Sequence, residues 1–230
     1  DLNVTSVEAK PASRNPSAPF MTSTLQQEAS RKFGMGARQT MSTAQRLYEA
    51  GYITYMRTDG IDMAPEAVTA AREAIKTLYG ENYVPDKPRM YKNKAKNAQE
   101  AHECVRPTDM MTKAEDLKTS DADQRKLYDL IWKRTLACQM EAARLERTTV
   151  EIASDDGQVG LRASGQVMMF DGFLRVYEEG RDDVVVDDDD KRLPQIDQGD
   201  AMDKRSVTPE QHFTQPPPRF TEATLVKRME

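Results

Sequence analysis

Hydrophobic positions along the chain follow a strand-like alternation, then a helical period, then alternation again. Leu2 to Ala9 alternates and predicts a strand, followed by a link containing Pro11, Pro16 and Pro19. Ser23 and Gln26 stand in capping-box spacing and predict a helix to about Phe33, stopped at Gly34. The same spacing at Ser42 and Gln45 predicts a second helix with Leu47 and Tyr48 inward, ending at Gly51. A third starts near Pro65, carries Ala67, Ala71, Ala74, Ile75 and Leu78 on one stripe, and ends at Gly80. Thr112 and Glu115 cap a short helix. Ser120 then opens the longest one, with Leu127, Leu130, Ile131, Arg134 and Cys138 at helical spacing to about Ala142. Trp132 lies close to that stripe and is expected to pack.

After Ala143 the pattern predicts strands over 144–153, 158–163, 166–170 and 173–177. The turns between them are Asp155-Asp156-Gly157, Ser164-Gly165 and Asp171-Gly172. A last strand is expected over 201–207, then a stiff polyproline linker over 214–220 and a helix opening at Thr221 and Glu222. The grouping predicts a multidomain α+β chain. A helical domain over 21–142 is inserted in a β-rich domain made of 1–20 and 143–213, and 214–230 forms a linker and the start of a further domain.

Composition adds the expectation of an open or elongated molecule, since 38% hydrophobic against 31% charged residues is lean for one compact globule of 230 residues. No apolar run approaches the ~20 residues of a membrane span, and the first residues carry no signal-peptide pattern. Cys104 and Cys138 have no paired spacing, so no disulfide framework or zinc site is expected, and a cytoplasmic setting fits. The missing initial Met and a helical pattern at the last residues are expected of a piece of a longer chain. The net charge of −5 hides a partition. Residues 1–106 hold 15 Lys and Arg against 12 Asp and Glu, a net of +3, leaving −8 for the rest. Lys87, Arg89, Lys92, Lys94 and Lys96 fall in a window, 87–99, without an acid. Such a window is either a solvated loop or a phosphate-attracting surface. The acidic run Asp187 to Asp190 reads as a solvated loop, too flexible to hold a metal tightly.

The chemistry concentrates in Gly51 to Gly60. If Tyr52 onward is extended, Ile53, Tyr55 and Arg57 share one face. A phenol has a pKa of about 10 and needs help to act as a nucleophile at neutral pH. A fixed guanidinium two residues away can stabilise charge on an attacked phosphodiester. The plain alternative is a packing tyrosine beside a solvated arginine. A second constellation is Gln99 to Thr108. If 97–105 is helical, His102 and Arg106 are i, i+4 neighbours; with no second histidine four residues on, it is not a zincin motif.

Ile53-Thr54-Tyr55-Met56-Arg57-Thr58-Asp59 closely resembles the active-site segment of bacterial type IA DNA topoisomerases, and Met56 fits the topoisomerase I (omega-protein) branch rather than topoisomerase III. Gly60 departs from the family's usual serine and would loosen the backbone there. Thr22-Ser23-Thr24-Leu25-Gln26-Gln27, Ala44 to Glu49, Gln99 to Pro107 (departing at Cys104 and Val105) and Thr208 to Phe220 extend the resemblance over nearly the whole chain; 178–200 matches least. The resemblance implies ATP-independent relaxation of negatively supercoiled DNA, with Tyr55 forming a 5′-phosphotyrosine on one strand, Arg57 assisting, and passage of a strand through the break. It implies DNA contacts at His102, Arg106, Glu49, Thr54 and Asp59, and the basic window adds Lys92, Lys94 and Lys96. It further implies that 1–20 and 143–213 form an arch, that His212 is structural, and that Mg²⁺ is bound by a Toprim domain absent from these 230 residues. No metal ligand is expected here, the chain is expected to be inactive alone, and its partners are single-stranded DNA and the rest of its own polypeptide. The competing reading is a non-catalytic nucleic-acid-binding module with a helix-turn-helix-like domain, for which Tyr55 is dispensable.

Overall fold

The computed structural model describes residues 1–92, 102–180, 193–194, 196–211, 213–214 and 216–229. The chain is α+β and falls into two compact units. One comprises Asp1–Arg14, Ala143–Asp171 and Val184–Arg219; the other comprises Asn15–Ala142, Gly172–Asp183 and Phe220–Glu230.

The first unit is built on an antiparallel sheet in the order β3-β2-β1-β4, made of β1 (Leu2–Arg14), β2 (Ala143–Ser154), β3 (Gly160–Phe170) and β4 (Ala201–Met202). β1 pairs with β2 from Leu2 opposite Ser154 to Arg14 opposite Ala143, with a bulge between Val4 and Ser6. It runs through Pro11, five residues beyond the predicted end at Ala9. Among the described residues β4 pairs with its far side at Leu2 and Asn3, and Val4 exchanges backbone hydrogen bonds with Asp200 and Gly199. At Pro11 no described strand lies on that side, and such an edge tolerates proline's missing N–H. The predicted turn at Asp155-Asp156-Gly157 is present: Gly157 has φ 68° and donates its N–H to the Ser154 carbonyl at 2.8 Å. Ser164-Gly165 is not a turn. Both residues lie inside β3 opposite Thr149 and Thr148, so two predicted strands are one. The unbroken partner strand β2 overrides a local turn preference. The strand expected over 201–207 shrinks to two residues.

The helical unit contains α1 (Thr22–Phe33), α2 (Ala37–Glu49), α3 (Pro65–Tyr79), α4 (Ala122–Ala137) and α5 (Glu222–Met229). α4 packs against α1, α2 and α3 and buries Leu127, Tyr128, Leu130, Ile131, Trp132 and Leu136. Burial on more than one face marks it as the centre, and each fully buried Leu or Ile there contributes about 1.5–3 kcal/mol. Its N-cap is Asp121, whose carboxylate accepts the N–H groups of Asp123 and Gln124 at 2.8 and 3.3 Å; Ser120 plays no such part, and the helix stops at Ala137. α1 is capped by Thr24, whose Oγ1 accepts the Met21 N–H at 3.1 Å, not by the Ser23/Gln26 pair. α2 starts five residues before the predicted Ser42, whose hydroxyl instead donates back to the Gln39 carbonyl at 3.0 Å. The end of α2 that sequence reading missed is capped from far away: the Ala37 N–H donates to Glu222 Oε2 at 2.8 Å.

Residues 173–177 are not a strand. A 3₁₀ turn, Gly172–Arg175, returns the chain to the helical unit. Gly172 has φ 50°, and a Cβ there would lie 2.6 Å from the Ala142 carbonyl, so the close turn requires glycine. Tyr177 then donates its hydroxyl to Glu28 Oε2 at 2.6 Å. Buried Arg134 lies 4.9 Å from the Phe20 ring and 5.2 Å from the Tyr177 ring, and donates to the Ala18 carbonyl and to Glu179 Oε1 at 2.6 and 2.7 Å. A guanidinium so enclosed is tolerable because these partners satisfy it. Residues 15–20, 172–183 and 220–230 therefore group with the helices. Trp132 packs as expected and donates its Nε1–H to the Met110 carbonyl at 2.9 Å. Among the described residues no helix is long and apolar enough to cross a membrane.

Candidate active site

Residues 52–60 form an irregular segment with one bridge, Ile53 to Pro107. Ile53 and Met56 are buried, whereas Tyr55 is 50% exposed and Arg57 is exposed. The face predicted to hold Ile53, Tyr55 and Arg57 together is thus broken, because Ile53 anchors the core. What remains is a buried methionine between an exposed phenol and an exposed guanidinium. The backbone is fixed on both sides of that methionine. Thr54 donates its N–H to the Arg106 carbonyl at 2.9 Å and its hydroxyl to the Cys104 carbonyl at 2.7 Å, and accepts the Arg106 N–H at 3.0 Å. From the start of α1, the Thr22 hydroxyl lies 2.8 Å from the Met56 carbonyl oxygen and accepts the Thr58 N–H at 2.8 Å. The Tyr55 ring meets Tyr48 edge-on at 5.3 Å between centroids and 71° between planes. Tyr48, expected inward, is 40% exposed at the end of α2.

The His102 segment is extended rather than helical, with bridges from Glu103 to Asp62 and from Val105 to Phe20. His102 and Arg106 are therefore not helical neighbours. His102 Nδ1 stands 2.9 Å from Asp59 Oδ1, both side chains about half exposed. That hydrogen bond is the main reason the Asp59 carboxyl is held below its ordinary range. Gly60 does not loosen this region. A Cβ on it would fall 1.8 Å from the His102 carbonyl oxygen, so glycine is what lets the two segments meet. Arg106 is turned inward: its side chain is 15% exposed, and it donates to Glu103 Oε1 at 2.6 Å and to the Pro107 carbonyl at 2.9 Å. Glu103 Oε1 also accepts the Ala64 N–H at the start of α3.

Glu49 closes α2 and accepts a hydrogen bond from Gln45 at 2.7 Å. Lys92 is exposed, while Lys94, Lys96, His212 and the run Asp187 to Asp190 lie outside the described residues. Cys104 and Cys138 are free and buried; burial raises both thiols, that of Cys138 to about 12. Among the described residues no three His, Cys, Asp or Glu side chains converge to hold a metal. Next to Arg57 the surface opens into a concavity of about 560 Å³, lined also by Gln26, Ala37, Arg38, Met41, Ser42 and Gln45.

A family profile described as DNA topoisomerase matches residues 1–230. The chain belongs to the bacterial type IA DNA topoisomerases. It is 57% identical to DNA topoisomerase 1 of Zymomonas mobilis over all of its own length and 19% of that protein's, and 53% identical to DNA topoisomerase 1 of Streptomyces coelicolor over 99% and 24%. Among solved structures it resembles full-length topoisomerase I of Thermotoga maritima, with a TM-score of 0.79 and 35% identity over 99% of this chain and 37% of that one. The chain thus spans about a fifth to a quarter of the length of the two curated relatives it matches. Within this topoisomerase chain, Arg38, Gln26, Ser42 and Tyr48 were not expected near Tyr55 and Arg57. The available signal was positional: Arg38, Gln45 and Tyr48 are separated by seven and three residues, which puts them on one face once α2 is known to start at Ala37.

Proposed function

We propose that Tyr55 is the nucleophile in a reversible break of one DNA strand, with Arg57 binding the attacked phosphate. The observation that carries this is the pairing of an exposed phenol and an exposed guanidinium on a backbone locked around buried Met56. Its atoms balance without an external energy source. The Tyr55 oxygen bonds to phosphorus as the bond to the 3′-oxygen breaks, and the phenol's proton ends on that 3′-oxygen. The tyrosine then holds the 5′-phosphate. Religation is the reverse, the 3′-hydroxyl attacking phosphorus and the phenol regaining its proton. One phosphodiester is exchanged for another, so no ATP is required. Between the two steps a strand passes through the gap, and negatively supercoiled DNA relaxes.

Arg57 acts as an exposed two-pronged donor toward the phosphate oxygens as charge builds on them. His102, fixed by Asp59, offers a polar edge to the strand, and Thr54 holds the backbone that carries the phenol. The resemblance in sequence assigns the divalent cation to residues outside this chain, and this reading keeps it there; no step above is routed through it. The chain is one part of an active site whose remainder lies elsewhere in the polypeptide, and 1–14 with 143–171 serve as the arch.

In the full-length protein, Tyr55→Phe is expected to abolish relaxation of supercoiled DNA while leaving single-strand binding intact. Arg57→Lys is expected to slow cleavage by up to ~10²-fold, because an ammonium lacks the planar fork. Relaxation by Tyr55→Phe at the wild-type rate would instead support the non-catalytic DNA-binding reading.

A further inference from the structure

One face of α2 continues from the tyrosine pair to the open concavity. Residues 38, 41, 42, 45, 48 and 49 recur at three- and four-residue steps and so line one side of the helix. Tyr48 ends this stripe against Tyr55. Arg38 begins it, in the concavity shared with Arg57. At 1.5 Å per residue the ten steps from Arg38 to Tyr48 cover about 15 Å. That is about four nucleotides at the 3.4 Å spacing of a strand in duplex DNA, and fewer for a more extended single strand.

The lining suits a phosphodiester backbone. It offers two guanidiniums, two side-chain amides from Gln26 and Gln45, and the Ser42 hydroxyl, with Met41 as an apolar floor and no acid among the lining residues. Four arginines of the helical unit are held by carboxylates, Arg31 by Glu28, Arg46 by Asp121, Arg106 by Glu103 and Arg134 by Glu179, and three more, Arg72, Arg89 and Arg125, donate to backbone carbonyls. Among the described residues Arg38 and Arg57 have no such ion pair. The Glu222 carboxylate on the Ala37 N–H bounds the stripe at its far end, and Glu49 bounds it at the tyrosine end.

We propose that the α2 stripe is a non-covalent phosphate track, in which Arg38 holds the same single strand that Tyr55 attacks, a few nucleotides from the attacked phosphate. The track rests on the reading of Tyr55 as nucleophile. It is tested by binding rather than cleavage, in the full-length protein carrying Tyr55→Phe. Arg38→Ala in that background is expected to flatten the logarithmic salt dependence of single-strand binding by about 0.7. Arg38→Lys, which keeps the charge, is expected to retain the slope, and so is Lys76→Ala, which removes a cation already paired with Glu81. Oligonucleotides extended to one side of the cleavage position should lose affinity with Arg38→Ala, whereas those ending at that position should not. In the protein retaining Tyr55, Arg38→Ala should lower cleavage at limiting oligonucleotide and recover it at saturation. An unchanged slope and unchanged length dependence in Arg38→Ala, or an equal loss in Arg38→Lys, would overturn the track. Cleavage by Tyr55→Phe would overturn the nucleophile assignment, a separate outcome.

Discussion

Met56 is fully buried while Tyr55 and Arg57 on either side of it are exposed. That alternation puts both functional candidates at the surface without leaving their backbone free, because Thr22 and Thr54 hold it from two directions. Gly60 works on the same scale. Its missing side chain permits contact with the His102 carbonyl, and the Asp59–His102 hydrogen bond forms beside that contact. Gly60→Ala must push the two segments apart, and it is expected to cost about 1–3 kcal/mol in denaturant unfolding. It should also weaken the Asp59–His102 bond. Because the folded Asp59 pKa is depressed, the bond stabilises the fold above the ordinary carboxylate range, and this support disappears as pH falls through the lowered folded value. A carboxyl NMR titration should therefore show Asp59 moving up toward its ordinary range in Gly60→Ala. An unshifted Asp59 with unchanged stability would show that the backbone yields freely there.

At the scale of elements, what was legible in the sequence depended on how local its cause was. The third helix, with Pro65 at its first turn and a stripe of alanines, and the Gly157 turn were readable because their determinants lie within a few residues. The start of α2 was not, because its capping carboxylate is supplied by Glu222 from α5. The turn at Asp171-Gly172 was legible, but 173–177 reads as strand because nothing local shows that Tyr177 is claimed by Glu28 in α1, a partner 149 residues away. The motif residues Tyr55 and Arg57 were legible by type and order, but their surface placement depended on Met56 rather than Ile53 dividing them. The long-range cap can be measured. A carboxylate at a helix N-terminus contributes about 0.3–1 kcal/mol, so Glu222→Gln should lower stability by up to about that amount, more at low salt than at high. Gly36→Ala would place a Cβ 2.9 Å from Glu222 Oε2, the movable end of a side chain, and should displace it. The two changes should then be less than additive in a double-mutant cycle. Full additivity would separate Gly36 from the cap.

Across the whole molecule, burial is unevenly divided between the two units. The three long strands bury only Val4, Ala143, Leu145, Val150 and Gly165, and β3 leaves Leu161, Val167, Met168 and Met169 exposed. By contrast α4 alone buries nine residues, from Leu127 to Ala137. The sheet is therefore held mainly by its ladders, from Leu2 to Arg14 and from Arg144 to Phe170, with little apolar area behind them. Ladder hydrogen bonds contribute roughly 0.5–1.5 kcal/mol each in net terms, and those at a solvated surface open without global unfolding. The proposed passage of a strand needs one deformable part and one rigid part, and this distribution is consistent with that proposal. In native-state hydrogen exchange, amides of β1 to β3 are expected to open with a lower free energy than those of α4, and to respond to low denaturant as one group. Protection of the β1 and β2 amides equal to that of Leu130 and Ile131 in α4 would mean that the sheet is as rigid as the helical core, and would remove the sheet as the source of the bending that the strand-passage proposal calls for.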